Sequence, residues 1–213
     1  MSSVAADGVL AAVRQHLREH FTSAGIDSNP EVASVTFVGV ERIEVQRFGP
    51  DRRAGLEGVF HYVSLGCSRY PMTDPATQHP DPLRGPRAEL VISLRAAVPP
   101  TGLARSLAVL AATPAVEGVV LCEGSLVDLS GPLWTGAPFT AVLLGASEED
   151  CTGITDLPLA PPCDPVQFIA AVPVTRTEAA WVRLKGAEAM RQAWRDDGVD
   201  VLDPGRPASS AGG

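Results

Sequence analysis

The sequence predicts a single α+β domain, a mixed β-sheet with helices packed against it. Segments with apolar residues at helical spacing and segments rich in β-branched and aromatic residues are interspersed along the chain. They do not alternate strictly, which argues against a regular series of βαβ units. No linker-like stretch divides the 213 residues into halves that could each hold a core.

Taken in order, residues 5–22 carry Leu10, Val13, Leu17 and Phe21 on one helical face, with Arg14, Arg18 and Glu19 turned away. Gly25 and Pro30 end that element. SVTFVGV (34–40) and ERIEVQRF (41–48) read as strands, the second alternating Ile43 and Val45 with charged neighbours. GVFHYVSLG is a strong strand. Residues 71–86 hold five prolines and no periodicity, a long loop of the kind that tends to be functional or mobile. RAELVISLR alternates as a strand, and residues 101–113 form a helix with Leu103, Leu107 and Leu110 on one face. GVVLCEGSLVDL (118–129), PFTAVLLG and VQFIAAVPV read as three more strands. Thr175-x-x-Glu178 is a capping box that opens a helix through Lys185. Gly186 interrupts it, and a last helix runs to Asp197 with Gly198 as its cap. Trp181, Leu184, Met190 and Trp194 are predicted core. The expected organisation is an N-terminal amphipathic helix packed on the domain (1–30), the α+β domain itself (31–206) and a disordered tail (207–213).

Composition narrows the function classes. Lys and Arg number 17 against 25 Asp and Glu, a formal charge of −8, and such a balance repels phosphate backbones and anionic membrane surfaces. No apolar run approaches the ~18 residues a membrane span needs. The N-terminus lacks the basic-then-apolar pattern of a secretion signal. Cys67, Cys122, Cys151 and Cys163 form no C-x-x-C pair and read as reduced thiols of a cytoplasmic protein, with a Cys151–Cys163 disulfide left open.

The segment YVSLGCSRYPM, followed by RAELVISL, resembles the signature of the Suppressor of fused domain family: a strand ending in Gly-x-Ser, a Pro-Met pair, then a Glu-Leu strand. Gly66, Ser68, Pro71, Met72, Glu89 and Leu90 stand at the matching places. Downstream, GAPFTAVLLG resembles a later strand of the family. FIAAVPVTRTEAAWVRLKGAEAM matches through Pro173, Glu178 and Gly186, and DVLDPGRP through Arg206. The likeness spans roughly residues 40–206. A tryptophan expected near the start of the 101–113 helix is absent. The resemblance implies a mixed α/β domain without a cofactor that works by binding another protein. For a stand-alone microbial-type member it implies an immunity-type inhibitor of a toxin or a regulatory partner. An acidic chain suits a basic toxin, since opposite charge steers association.

Arg69, Tyr70, Pro71 and Met72, at a strand end beside the long loop, are the expected binding surface, because Tyr and Arg are favoured interface anchors and Met adapts to irregular surfaces. The competing expectation is that Tyr70 and Met72 pin the loop to the core. His16-Leu17-Arg18-Glu19-His20 matches the H-x-x-E-H pattern of a zinc hydrolase, with His16 and His20 one helical turn apart. The plainer reading is two half-buried imidazoles at the edge of an apolar face. Cys67 and His61 would lie about 20 Å apart on one strand, too far for a nucleophile and its base. Gly66-Cys67-Ser68 lacks the second glycine of a nucleophile elbow. Asp74, His79 and Asp81 share the long loop, where a solvated polar segment is the simpler reading than a cation site. A self-associating structural domain is the third alternative.

Overall fold

β-branched and aromatic runs in the middle of the chain assemble into one seven-stranded sheet in the computed structural model, which describes residues 3–37, 41–74, 76–79, 81–145 and 153–209. The strands are β1 (Glu31–Val35), β2 (Ile43–Phe48), β3 (Val59–Leu65), β4 (Arg87–Arg95), β5 (Leu126–Asp128), β6 (Phe139–Leu144) and β7 (Val166–Thr175). Their spatial order is β1-β2-β3-β4-β7-β6-β5. Neighbours are antiparallel except β4 and β7, which run parallel with Arg87 opposite Val166. The sheet is therefore mixed, and the chain folds as a single α+β domain.

Helices cover both faces. Alternation along the strands sends Phe60, Tyr62, Leu90 and Ile92 to one side, where α2 (Leu103–Glu117) packs through Leu103, Leu107 and Leu110. The other side is shared. Val63, Leu65 and Val91 meet Val13, Leu17 and Phe21 of α1 (Ser3–Ser23). Ala141, Leu143 and Val174 meet α3 (Arg176–Lys185) and α4 (Ala187–Asp197). The apolar stripe of α1 is the one its spacing predicts: Val13, Leu17 and Phe21 are all fully buried.

The predicted capping box is present: Glu178 N–H donates to Thr175 Oγ1, and the Glu178 carboxylate accepts from Thr175 N–H at 2.8 Å. Gly186, at φ +89°, separates α3 from α4. Glu178 is also the hub of a buried C-terminal cluster. It accepts from Trp194 Nε1 at 2.9 Å, from Arg206 at 2.6 Å and from Ser209 N–H at 3.2 Å. The Arg206 guanidinium lies over the rings of Phe139 and Trp194, and its Nη2 donates to Pro173 O. Pro173, Glu178 and Arg206 thus meet in one place. Of the segment predicted as a tail, residues 207–209 are described, and Ser209 is buried on this cluster.

Four sequence expectations are corrected. The first strand lies at Glu31–Val35, not 34–40; it follows Pro30 directly and pairs Glu31 with Arg47 through Val35 with Ile43, while Val38–Val40 fall outside the described residues. α2 continues past residue 113 to Glu117 despite Pro114, because the Leu110 carbonyl that Pro114 cannot serve accepts from Thr113 Oγ1 at 2.7 Å. Only Leu126–Asp128 of the predicted 118–129 strand pairs in the sheet, since the helix overruns to 117 and Gly118 caps it. Leu184 is 74% exposed, on the side of α3 opposite Ala179 and Val182. Cys151 lies outside the described residues.

Leu17→Ala leaves a cavity under α1 and is expected to cost about 2–5 kcal/mol, read from urea unfolding. Leu184→Ala should change stability by less than about 0.5 kcal/mol.

Candidate functional site

At the end of β3 the main-chain ladder with β4 stops after Val63–Val91, and side chains take over. Ser64 Oγ accepts the Leu90 N–H at 2.8 Å and donates to Glu89 at 2.5 Å. Gly66 then turns the chain into a 3₁₀ turn, Cys67–Arg69. Its φ of +139° suits only glycine, and a Cβ there would stand 2.9 Å from Ile43 Cδ1. Glu89, fully buried, gathers the donors of this turn: Gly66 N–H at 2.8 Å, Ser68 N–H at 3.1 Å and Ser68 Oγ at 2.6 Å. Arg87, two residues earlier and also fully buried, takes the acceptors. Its Nη1 donates to Ser68 O at 2.8 Å and Arg69 O at 3.0 Å. A carboxylate and a guanidinium together satisfy both polarities of a buried turn, which is what backbone groups removed from water require. Gly66, Ser68 and Glu89 are therefore brought together as a structural pin.

The pinned turn presents the next four residues. Met72 is buried; its N–H donates to Pro86 O, and its sulfur accepts Leu121 N–H at 3.3 Å. Met72 is thus a core residue that ties the loop down, which corrects its assignment to an exposed surface. Arg69 is only 14% exposed and pairs with Glu41 and with Asp7 of α1. It too is held within the structure, contrary to a free anchor. Tyr70 is 41% exposed, and its hydroxyl donates to Glu41 at 3.0 Å. That bond, more than partial burial, raises the Tyr70 pKa.

Beside this segment lies a cleft of about 450 Å³. One wall is Cys67 and Arg69–Thr73; the other is the C-terminal end of α2, through Ala111, Pro114 and Ala115. Ile43 and Gly66 reach it from the sheet side. Tyr70 and Pro71 belong to its lining, and exposed Val116 and Val119 adjoin lining residues along the chain. Ile43, Glu41 and the end of α2 escaped sequence reasoning because they lie far from residue 70 in the chain. Arg87 carried a usable signal, standing at i−2 from Glu89 on an alternating strand.

The catalytic look-alikes separate. His16 stacks on Phe168, and its Nε2 bonds Thr155 O at 2.7 Å, while exposed Glu19 accepts from Gln15. Among the described residues no three His, Cys, Asp or Glu side chains group as a metal site would require. Asp81 spends one carboxylate oxygen on the Leu83 and Arg84 N–H groups. Burial, reinforced by Glu89, pushes the Cys67 thiol well above its ordinary value, the reverse of an activated nucleophile. His61 points instead to Ser93 Oγ (2.8 Å, from Nδ1) and Asp51 (3.1 Å, from Nε2). This Ser–His–Asp contact was not legible in the sequence. His61 lies fully buried against Phe21, and Asp51 is shared with Arg53, so it reads as a sealed polar cluster.

These sites define an α+β scaffold whose polar motif residues are structural and which carries an apolar cleft beside a pinned turn. The chain belongs to the Suppressor of fused protein family, whose model matches residues 39–207. Among solved structures it is similar to a candidate Suppressor of fused homolog from Neisseria gonorrhoeae, at 18% identity over 93% of this chain and 95% of that one, TM-score 0.64. It is similar to a chain of the Sufu–Fu complex at 17% identity over 94% and 91%, TM-score 0.65. Drosophila Suppressor of Fused matches at 18% identity and TM-score 0.63, where 94% of this chain covers 50% of that one. No curated protein matches the chain.

Glu89→Ala strands the donors of the turn and should cost on the order of 3 kcal/mol or more; Glu89→Gln, which keeps an acceptor, should cost clearly less in the same denaturation assay. Acid should destabilise the fold in two stages. Burial lowers the His61 pKa below its ordinary 6.5 against the opposing pull of Asp51, so the unfolded chain binds the proton first and stability falls as pH drops below 6.5. At Asp51 burial pushes upward, but the hydrogen bonds from Arg53 and His61 outweigh it and hold the carboxyl at about 2, against an ordinary 3.8. Its contribution, about 2 kcal/mol, is present above 3.8 and lost between there and about 2. Melting temperatures from pH 8 to 3 check this, and a flat profile between 6.5 and 5 would contradict the His61 stage.

Proposed function

We propose that this chain is a non-catalytic protein-binding module whose recognition surface is the cleft beside Arg69–Met72. The observation that carries the reading is the cleft itself: about 450 Å³, walled by apolar and small side chains, with exposed Tyr70 at the segment that builds it. Solvent-facing apolar concavities of this kind are costly unless something covers them. The likeness to a chain of the Sufu–Fu complex supports binding of another protein. In this reading Tyr70 and Pro71 make contact, while Arg69 and Met72 hold the surface in shape. No cofactor takes part. The described cysteines are free, in keeping with a cytoplasmic protein. No helix of the described residues is long and apolar enough to cross a membrane. The charge of −8 favours a basic partner, and an immunity-type inhibitor of a basic toxin or a regulatory partner are the two roles that fit.

Ala115 is exposed on the α2 wall, so Ala115→Trp fills the cleft without disturbing the core. Tagged wild-type and Ala115→Trp proteins are used for capture from native cells with quantitative mass spectrometry. The reading predicts one stoichiometric partner on the wild type, reduced at least tenfold on the variant at unchanged melting temperature. A partner held equally by both would remove the cleft from the interface.

A further inference from the structure

The shape and charge of the cleft specify what enters it. Gly66, Cys67, Ala111, Ala115 and Gly118 give it walls of small side chains, which leaves room that the described residues do not fill. Its volume falls in the range of sites that enclose a ligand group, roughly 300–1,000 Å³. A bulky apolar side chain suits such a space. Tyr70, 41% exposed, carries the lining outward at the rim.

The more exposed charge in the lining is an acid. The charged residues lining the cleft are Glu41 and Arg69. Arg69 is the covered member, 14% exposed and held between Glu41 and Asp7, whereas Glu41 is 53% exposed. The Tyr70 hydroxyl fixes the Glu41 carboxylate in place. Arg42, next to Glu41 in the chain, pairs with Glu44 at 3.3 Å and lines a separate polar notch with Asp7 and Arg14.

Resting on the binding reading above, we infer that the cleft receives a segment of another protein that places one bulky apolar anchor (Leu, Ile, Phe or Trp) between the 3₁₀ turn and α2, with a Lys or Arg beside it against Glu41. The anchor supplies affinity by leaving water, and the cation supplies orientation and selectivity. An acidic segment would bring a second carboxylate against exposed Glu41 and be disfavoured.

A phage-displayed library of random 12-residue peptides is panned against the intact protein. Enriched peptides are synthesised with a fluorophore and titrated by anisotropy against wild type, Ala115→Trp and Glu41→Gln. The expected result is a shared apolar anchor flanked by Lys or Arg, with binding lost at least tenfold on Ala115→Trp and on anchor→Ala in the peptide. Glu41→Gln should weaken it severalfold and flatten its salt dependence. Peptides blocked by Ala115→Trp but acidic, or indifferent to Glu41→Gln, would overturn this inference and leave the binding cleft standing. Peptides that bind Ala115→Trp as well as wild type, or no enrichment at all, would overturn both.

Discussion

A buried carboxylate with no water to solvate it has to find donors, and Glu89 finds them in the turn that follows β3. The rest of the cleft depends on that requirement. Without Glu89 and Arg87, the amides of Gly66 and Ser68 and the carbonyls of Ser68 and Arg69 would lose these partners, a cost no local propensity could offset. With them, a strand can stop, turn sharply at a glycine and hand the chain to Arg69–Met72 at a fixed angle. Met72 then reaches across to the Leu121 amide, and the far wall of the cleft, the end of α2, is set against it.

The same device recurs at the other end of the sheet. Glu178 gathers donors from its own helix cap, from Trp194, from Arg206 and from Ser209, and so fastens β7, α3, α4 and the C-terminal residues to one another. Its pKa shows the balance of forces. Burial alone would raise it, and the Arg206 hydrogen bond and charge bring it below the ordinary carboxylate value. Both acids are therefore expensive to remove and of little use as catalysts, since every oxygen is engaged in holding backbone or side chains in place.

Much of this was written plainly in the chain. The α1 stripe, the capping box, the Gly186 break and strands β2, β3, β4, β6 and β7 follow from periodicity and caps, which are local signals. Where local signals mislead, a tertiary partner is the cause. Thr113 lets α2 run through Pro114, and the β1 register is set by pairing with β2 and not by its own sequence. Gly66, Ser68 and Glu89 were legible as a group only through the family resemblance, and their role as a pin was not. Nor could one strand show that Arg69 and Met72 are held inward, because Asp7, Glu41 and Leu121 lie 62, 28 and 49 residues away in the chain. The site is assembled by long-range contacts, which a linear reading does not show.

The account turns on the claim that Glu89 locks the turn after β3 as firmly as the core itself. Amide hydrogen exchange at Gly66 and Ser68, followed by NMR, tests it directly. Both amides should exchange only with global unfolding, as slowly as Val63 and Val91 in the central strands. Exchange at rates typical of a surface loop would show that the carboxylate does not hold the turn, and that the cleft is not pre-formed.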